Sequence, residues 1–262
     1  MKINPKKSLG QNFLIDRDVL EKIVSTVDIS NQEVLEIGPG SGNLTTYILK
    51  KNPKNVYVVE KDDDLALLLK AKFNDEIKII NNDILKVSED KISNKKLVVF
   101  GNLPYNISTQ ILSNWILNMN SNVWFTSLVL MFQKEVADRI IAVPNTSNYG
   151  RLSILSNWKL NIDKIMDIKP QSFSPRPKID STLLLFTPKK KFFEFKNAKN
   201  LETITRIFFS QRRKMLKKPF NKVFRNSNEV SKKFNIDLNL RPQNLEPETY
   251  FKLVEEYESL TG

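Results

Sequence analysis

Cysteine and histidine are both absent from the 262 residues of this chain. Without them the protein can form no disulfide bond, thiolate nucleophile or typical zinc site, and it has no imidazole for acid–base catalysis. Any enzymatic activity must therefore use other side chains and the backbone, and we predict no metal centre.

Long apolar runs are also absent. None in the sequence reaches the roughly 20 residues that a membrane-spanning helix needs, and the N-terminus lacks the apolar stretch of a signal peptide. At this length the chain can form one large domain and a smaller one. We therefore expect a cytoplasmic protein that does not enter a membrane, with a monomer as the default oligomeric state.

Acidic residues are scarce in residues 176–225, which hold 15 Lys and Arg but only 3 Asp and Glu. The other residues carry 26 charges of each sign, so the net charge of +12 comes entirely from this stretch. A run of charges is often only a solvated surface. If this stretch binds RNA instead, the candidate residues are Arg176, Lys178, Arg212, Arg213, Lys214, Lys217 and Lys218.

Aromatic residues are interleaved with these basic side chains, at Phe192, Phe193, Phe195, Phe208 and Phe209. A basic stretch that also carries aromatic rings favours a polyanion partner. The same rings could instead belong to a hydrophobic core, so both interpretations stay open.

Strand-like and helix-like segments alternate between residues 33 and 132. Apolar runs such as VLEI, VYVVE and KLVVF are typical of buried strands, and segments such as DDLALLLKAKF have helical spacing. This alternation predicts βαβ units in a mainly parallel, doubly wound α/β sheet. A helix with Asp16 as its N-cap is predicted before the first strand, over DRDVLEKIVSTVD.

The strand pattern ends near residue 187. Its last member, STLLLF, is expected to form a hairpin strand at the edge of the sheet. The segments LETITRIFFSQRRKMLKKPF and EPETYFKLVEEYESL have helical patterns. We therefore predict an α/β domain with an N-terminal arm over residues 1–187 and a small, basic helical domain over residues 188–262.

Three glycines, Gly38, Gly40 and Gly42, follow the first predicted strand and precede a helix. Glycine lets the backbone turn tightly and approach a ligand, although a plain strand–helix turn would explain the same residues. Asn43 stands where a dinucleotide-binding fingerprint has its third glycine, which argues against a pyrophosphate ligand.

Acidic residues mark the ends of the next two strands. Glu60 ends the second strand, where nucleotide-binding α/β folds place the carboxylate that holds ribose hydroxyls. Asp83 follows the third, where it could accept a hydrogen bond from an adenine amino group. Either acid alone could be a helix cap or a loop residue.

The glycine turn and the two acids together predict a ligand with adenine and ribose but no phosphate to hold. S-adenosylmethionine fits that description better than a dinucleotide does. Glu36, just before the glycines, would either neutralise the cationic end of this ligand or be a structural residue.

The motif NLPY follows the fourth strand. Asn102 supplies an amide oxygen, Pro104 stiffens the turn and directs the carbonyl of Leu103, and Tyr105 supplies a flat aromatic face. These groups suit a planar base whose exocyclic NH2 group is held by two acceptors while its nitrogen faces a methyl donor. No strong base is needed, because the nitrogen becomes acidic only after alkylation. A capping asparagine beside a core tyrosine is the alternative.

Phe173 lies in a proline-rich loop, FSPRP, and is a candidate for the second wall of the base pocket. Enzymes that modify a base must first take it out of its stack, and an aromatic ring can then cover its other face. A loop anchor is an equally good interpretation of this residue.

Eight motifs together resemble one protein family over nearly the whole chain: SLGQNFL, EIGPGSGNLT, VVEKD, GNLPYNIST, MFQKEVADRI, YGRLS, FSPRPKIDS and RRKML. On these stretches the sequence is similar to the KsgA family of ribosomal RNA small-subunit adenine dimethyltransferases. The resemblance implies a Rossmann-like class I methyltransferase domain and a small helical domain. It also implies S-adenosylmethionine-dependent dimethylation of two adjacent adenosines near the 3′ end of 16S rRNA. A short loop offers few bases to read, so we expect recognition to need a partly assembled 30S particle.

The resemblance also implies residue roles. By the matching motifs, the residues at the cofactor would be Asn12, Leu14, Gly38, Glu60, Asp83 and Asn102. Gln11, Glu36, Gly40 and Gly42, which lie beside them in the same motifs, complete the predicted cofactor-binding set. The residues that would act on the target adenine are Asn102, Leu103, Pro104, Tyr105 and Phe173, with Tyr105 and Phe173 stacked on its two faces.

Three other functions stay open. An Erm-type enzyme, which dimethylates a single adenosine of large-subunit rRNA, has variant forms of the same loop and helix motifs. A ribosome assembly factor could bind the immature subunit with methylation secondary or lost, although the intact NLPY and glycine motifs speak against lost activity. A DNA adenine methyltransferase usually has two prolines in this motif, and Leu103 interrupts that pattern.

Overall fold

The computed structural model of the protein describes residue 6, residues 11–120 and residues 122–261. Its strands are β1 (Phe13–Leu14), β2 (Glu33–Ile37), β3 (Asn55–Glu60), β4 (Lys78–Asn81), β5 (Leu97–Asn102), β6 (Phe125–Gln133), β7 (Leu160–Ile168), β8 (Phe173–Ser174) and β9 (Ser181–Pro188). β1 and β8 form a short antiparallel pair. The other strands form one sheet in the order β4-β3-β2-β5-β6-β9-β7.

The large sheet is mainly parallel. β2 pairs in parallel with β3 and β5, β3 pairs with β4, and β5 pairs with β6 in the same way, whereas β9 is antiparallel to β6. Every residue of β2 is buried, as expected for a parallel strand that is covered on both faces. The α/β sheet predicted from the sequence is confirmed.

The helices are α1 (Arg17–Val24), α2 (Asn43–Leu49), α3 (Asp63–Phe73), α4 (Ser108–Asn118), α5 (Lys134–Ile140), α6 (Arg151–Lys159), α7 (Lys199–Phe209), α8 (Lys217–Val223), α9 (Ser227–Lys233) and α10 (Pro247–Thr261). Asp16 caps α1 as predicted, because its carboxylate accepts hydrogen bonds from the backbone N–H groups of Asp18 and Val19. Within the described part of the chain, none of these helices combines the length and the apolar character that crossing a membrane requires.

The strand STLLLF is not at the edge of the sheet, so that expectation is wrong. β9 lies between β6 and β7, and β7 is the edge strand. β7 has little sequence signal, because charged side chains interrupt it and only its two ends, Leu160 and Ile168, are buried.

The single helix expected over residues 201–220 is interrupted, and α7 and α8 are separate. Before α8, the N–H of Leu216 donates to the carbonyl of Leu240 over 2.8 Å. The N–H of Lys217 donates to the carbonyl of Leu238 over 3.2 Å. These partners lie more than twenty residues further along the chain, so local helical periodicity carries no sign of the break. The helix α9 was likewise not predicted.

The chain divides into two compact units. The first comprises residues 1–112, 120–137 and 162–188, and the second comprises residues 113–119, 138–161 and 189–262. The second unit therefore includes segments that precede residue 188 as well as all of the chain after it.

Aromatic rings form much of the core of the second unit. The Phe208 ring lies 5.4 Å from the Phe220 ring and 5.5 Å from the Tyr250 ring, centroid to centroid, and all three residues are fully buried. The Trp158 and Phe195 rings are stacked 4.6 Å apart. The core interpretation is therefore correct for Phe208, whereas Phe192, Phe193, Phe195 and Phe209 are only partly buried, and the basic side chains between them are mostly exposed.

Candidate active site

A cavity opens beyond the carboxyl ends of β2, β3 and β5, where parallel α/β sheets place their ligands. The register aligns Ile37 of β2 with Val59 of β3 and with Gly101 of β5, so the residues that follow these strands meet at one edge. The structure brings together most of the predicted site, and the predicted residues that line the cavity are Gln11, Asn12, Leu14, Glu36, Gly38, Gly40, Glu60, Asp83, Asn102, Leu103, Pro104 and Tyr105.

The glycine turn connects β2 to α2. Gly38, Gly40 and Gly42 all have positive φ angles, of 65°, 57° and 74°. A Cβ atom on Gly40 would lie 2.7 Å from the Phe13 ring, so the missing side chain lets the N-terminal arm cross directly over the turn. Gly42 faces away from the cavity, because a Cβ atom there would lie 2.5 Å from the Phe73 ring of α3. Gly42 thus serves helix packing, whereas Gly38 and Gly40 line the cavity.

Glu60 joins the ends of two strands through its carboxylate. One oxygen, Oε2, accepts from the N–H of Gly40 over 3.1 Å, and the other, Oε1, accepts from the N–H of Asp62 over 2.9 Å. Burial raises the pKa of the Glu60 carboxyl, and these N–H groups act in the opposite direction by stabilising its charge. A carboxylate has about four acceptor sites, so Glu60 can still bind hydroxyl groups of a ligand.

Glu36 is a second buried carboxyl at the cavity. Only 1% of it is exposed, and Oε2 accepts from the hydroxyl of Thr45 over 2.6 Å. Burial raises the pKa of Glu36 to about 8, with a smaller contribution from the charge of Glu60. A cationic ligand would favour its ionised form, which fits the predicted role beside a sulfonium or ammonium group.

Lys72 of α3 holds the glycine turn from outside. Its Nζ donates to the backbone carbonyls of Ser41 and Gly42, over 3.1 and 3.2 Å. Burial lowers the pKa of Lys72, while the nearby Glu36 acts in the opposite direction. The glycine turn is therefore held by two sets of hydrogen bonds. The N–H of Gly40 donates to Glu60, and Lys72 donates to the carbonyls of the turn.

Asp83 begins a 3₁₀ turn after β4, spanning Ile84–Lys86. Its Oδ1 accepts from the N–H of Leu85 over 3.0 Å, and its Oδ2 forms an ion pair with Lys61 over 2.8 Å. The hydrogen bond from Lys61 is the main reason that the pKa of Asp83 is lowered. The carboxylate stays ionised at neutral pH and can accept from an amino group.

Asn102 is the last residue of β5, and its side chain reaches the N-terminal arm. The Nδ2 group donates to the backbone carbonyl of Asn12 over 3.0 Å. A carbonyl can only accept, so this bond settles the orientation of the amide and leaves Oδ1 as its acceptor group. The alternative, that Asn102 caps a helix, does not account for this hydrogen bond.

Tyr105 is partly buried beside the cavity, in the turn that leads into α4. Its hydroxyl forms a hydrogen bond with the hydroxyl of Ser181, and burial raises the pKa of Tyr105. The carbonyl of Pro104 accepts from the N–H groups of Ile107 and Ser108, both over 3.0 Å. These bonds fix the turn and hold the Tyr105 ring by its hydroxyl.

Phe173 lies in the core rather than at the cavity. Only 3% of it is exposed, and it pairs with Leu14 between β8 and β1. Leu14 itself lines the cavity, so Phe173 supports the wall from behind in this structure. This arrangement matches the loop-anchor alternative, and stacking by Phe173 stays a prediction.

The candidate RNA-binding residues occupy two different units. Arg176 and Lys178 are exposed in the loop before β9, in the first unit. Arg213, Lys214, Lys217 and Lys218 are exposed in the second unit, and they line a groove together with Gln211, Met215, Asn221, Lys222, Asn239 and Arg241. We call this set the basic groove.

Arg212 differs from its basic neighbours because its guanidinium bonds within the second unit. Nε donates to the side chain of Gln243 over 3.2 Å, and an NH2 group donates to the carbonyl of Thr146 over 3.0 Å. Arg212 therefore ties three chain segments together, and its side chain is less exposed than that of Arg213.

Four supporting residues were not predicted from the sequence: Thr45, Asp62, Lys72 and Ser181. Thr45, Asp62 and Ser181 lie within the quoted motifs EIGPGSGNLT, VVEKD and FSPRPKIDS, which is the signal that could have found them. Lys72 has no such signal. Among residues 6, 11–120 and 122–261, no three carboxylates are arranged to hold a metal ion.

Comparison with known sequences identifies the same family over nearly the whole chain. The model of the family described as "Ribosomal RNA adenine dimethylase" matches residues 2–259. The chain is 79% identical over 262 residues to the "Ribosomal RNA small subunit methyltransferase A" of Pelagibacter ubique (strain HTCC1062), with 100% of both chains covered. It is 42% identical to the protein of the same name from Wolbachia sp. subsp. Drosophila simulans (strain wRi), covering 98% of this chain and 95% of that one.

Solved structures agree with this result. The chain superposes on a dimethyladenosine transferase from Plasmodium falciparum with a TM-score of 0.78 and 26% identity, covering 94% of this chain and 98% of that one. It also superposes on the 23S rRNA methyltransferase ErmE with a TM-score of 0.69, and at 21% identity this likeness concerns the fold alone. The predicted family and the Rossmann-like methyltransferase fold are confirmed.

The packing of Gly42 leads to a stability prediction. Replacing Gly42 by alanine puts a side chain at a φ of 74° and into contact with Phe73 and Leu69. Left-handed backbone strain and overpacking together should lower the free energy of unfolding by about 2 to 4 kcal/mol. Urea unfolding of the purified protein measures this change.

The matched control is Gly150→Ala. Gly150 has extended backbone, and a Cβ atom there would meet its nearest neighbour, the Phe209 ring, at 3.9 Å. We expect a loss below about 1 kcal/mol for this variant. Equal stabilities of the two variants would contradict the packing role of Gly42.

Proposed function

Because the chain belongs to the ribosomal RNA adenine dimethylase family, we propose that it transfers methyl groups from S-adenosylmethionine to N6 of adenosines in small-subunit rRNA. Its targets are two adjacent adenosines in a hairpin loop near the 3′ end of 16S rRNA, and each becomes N6,N6-dimethyladenosine. Two relatives, at 79% and 42% identity, carry small-subunit names, which favours this substrate over the large-subunit substrate of an Erm-type enzyme.

One observation carries the proposal: the Asn102 amide lies at the same cavity as the strand-end groups that suit an adenosine-containing cofactor. Its NH2 group is occupied by the Asn12 carbonyl, so its oxygen is the group left for a ligand. An amide oxygen is the acceptor that an exocyclic amine needs.

The cavity fits S-adenosylmethionine by its chemistry. Glu60 would hold the ribose hydroxyls, Asp83 would accept from the adenine amino group, and Glu36 would face the cationic end. Gly38 and Gly40 would let the backbone approach the methionine part, and the arm residues Gln11, Asn12 and Leu14 would cover the cofactor. When bound, S-adenosylmethionine supplies an electrophilic methyl group.

The protein contributes mainly orientation to the reaction. Asn102 and the Leu103 carbonyl would hold the target amine so that its nitrogen faces the methyl group. Water can accept the proton, since the amine becomes acidic once it is alkylated. After the first transfer one N–H remains, so the pocket must then accommodate a methyl group where an N–H had pointed.

The target base would lie against Tyr105, whose ring is held by its hydrogen bond to Ser181. Stacking on the other face by Phe173 requires this side chain to leave its core position against Leu14. Movement of the β1–β8 pair would then accompany entry of the base.

The basic groove would bind rRNA phosphates. The described residues that line it include six cations and no carboxylate. Phosphate contacts of this kind fix the position of a protein on RNA without reading sequence. Arg176 and Lys178 would add contacts from the first unit. The proposed substrate is the partly assembled 30S particle in the cytoplasm, and a monomer that acts in subunit biogenesis is the simplest form.

The first of three functional predictions concerns methyl transfer. The protein should transfer labelled methyl groups from S-adenosylmethionine to small subunits that lack this modification, with about four methyl groups per subunit, because each of two amines has two replaceable hydrogens. Separation of the product nucleosides should yield N6,N6-dimethyladenosine. Transfer to large subunits would instead support an Erm-type enzyme, and tight binding without transfer would support an assembly factor.

The second prediction concerns Asn102. Replacing Asn102 by alanine removes the acceptor for the target amine and should lower the transfer rate by roughly 100-fold or more. Cofactor affinity, measured by calorimetry, should change by less than about threefold, since other groups hold the cofactor. Asn118→Ala, at an exposed position at the end of α4, is the matched control and should transfer normally. An unchanged rate for Asn102→Ala would overturn this role.

The third prediction concerns the basic groove. Replacing Arg213, Lys214, Lys217 and Lys218 by glutamine should weaken binding to the small subunit. It should also reduce the slope of log K against log salt by about 0.7 to 0.9 for each phosphate contact that is lost.

The control for the groove carries the same change of charge elsewhere, at the exposed Lys54, Lys91, Lys95 and Lys96 of the first unit. We expect this variant to keep the wild-type slope. Equal slopes for both variants would mean that net charge, and not the groove, attracts the RNA. Arg212 is left intact in these variants because its side chain bonds within the protein.

A further inference from the structure

Asp62 is a buried carboxylate between β3 and α3 that lies outside the proposed set of binding and catalytic residues. Only 4% of it is exposed. Its Oδ1 accepts from the N–H of Asp64 over 3.0 Å and from the Nζ of Lys6 over 2.8 Å, and its Oδ2 accepts from the Nε2 of Gln11 over 2.9 Å. A helix N-cap needs only the first of these bonds, so the other two require a different explanation.

The bond to Gln11 determines how that side chain is oriented. Gln11 uses its other amide atom, Oε1, to accept from the backbone N–H of Lys6 over 2.7 Å. Both ends of the amide are thus committed, with the NH2 group towards Asp62. Burial opposes the charge of Asp62, but the hydrogen bonds from Lys6 and Gln11 outweigh it and hold the pKa of this carboxyl below its ordinary value.

Gln11 is adjacent in the chain to Asn12, whose carbonyl accepts from the Asn102 side chain. The C-terminal end of the arm is held by two other hydrogen bonds. The side chain of Asn43 donates to the carbonyl of Leu14 over 2.7 Å, and the N–H of Ile15 donates to the carbonyl of Ser172 over 2.8 Å. Asp62 is the anchor on the other side of Asn12. The position of this carbonyl therefore depends on bonds at both ends of the segment.

We propose that Asp62 is a positioning residue: by holding Gln11 it places the Asn12 carbonyl, which in turn orients the Asn102 amide towards the target amine. This inference rests on the role of Asn102 given under the proposed function. Without the bond to Asp62, the arm keeps its attachment near Leu14 but the Asn12 carbonyl is less well placed. The Asn102 amide can then rotate and present its NH2 group, which repels the N–H of the substrate.

The alternative is that Asp62 merely caps α3, and Asp62→Asn separates the two roles. Asparagine has the same shape and is an equally good N-cap. It has only one oxygen, however, so when that oxygen caps the helix its NH2 group faces the NH2 group of Gln11. The positioning role predicts that this variant loses methyl-transfer activity and cofactor affinity, whereas a pure capping role predicts no change in either.

The double variant D62N/Q11E provides the rescue. The carboxylate introduced at position 11 can accept from the amide introduced at position 62 and still accept from the N–H of Lys6. The polarity of the bond is reversed, while the shapes and the total charge of the pair are kept. Asp64→Asn is the control for charge, since Asp64 also binds Lys6, over 2.9 Å, but does not share the bond to Gln11.

The experiment measures the cofactor Kd by calorimetry, kcat for methyl transfer to small subunits, and thermal unfolding for the four proteins. D62N should lower kcat roughly tenfold and weaken cofactor binding, which corresponds to the loss of one charge-assisted hydrogen bond. The thermal midpoint should fall by no more than a few degrees, because the cap of α3 is kept and only the bonds to the arm are lost. D62N/Q11E should regain most of the lost kcat, because the bond between positions 62 and 11 is restored, and D64N should behave as the wild type.

Wild-type kcat and cofactor affinity for D62N would overturn the proposal. A loss that the second substitution does not restore would also overturn it, since Asp62 would then act by another route. If the wild-type protein itself transfers no methyl groups, the proposed function fails. In that case the cofactor Kd of D62N, compared with that of D64N, still tests whether Asp62 positions the arm.

Discussion

The site depends on the burial of a carboxylate at the end of β3. Glu60 is removed from water, and a charge in such a place must be paired with hydrogen-bond donors. The donors are the N–H of Gly40 and the N–H of Asp62. One side chain thereby fixes the glycine turn after β2 and the start of α3 after β3, and both elements face the cavity.

The N-terminal arm is attached to this frame by different means. Its side-chain hydrogen bonds include those to Asp62 after β3, Asn43 at the start of α2 and Asn102 at the end of β5. The arm also pairs with β8, where Leu14 lies opposite Phe173, and the N–H of Ile15 donates to the carbonyl of Ser172. Side-chain bonds of this kind can be exchanged without disturbing the parallel ladder, which suits a segment that must admit a cofactor and a base.

The second unit separates its aromatic and basic residues by burial. Phe208 and Phe220 meet in the core, whereas Lys217 and Lys218, one or two positions before Pro219, are exposed. Composition alone could assign the whole stretch to RNA binding or to a core. Each interpretation applies to part of it, because successive residues of a helix face different directions.

The sequence by itself determined the alternation of strands and helices between residues 33 and 132, the α/β class, the Asp16 cap and the strand-end positions of Glu60 and Asp83, because these depend on local periodicity and capping. Its motifs were also specific enough to identify the family. Only the tertiary structure decided that Gly42 packs against α3, that Phe173 lies behind Leu14, that Arg212 bonds within the protein and that Asp62 holds the arm. Each of these depends on a partner distant in the chain, and local sequence patterns contain no information about such a partner.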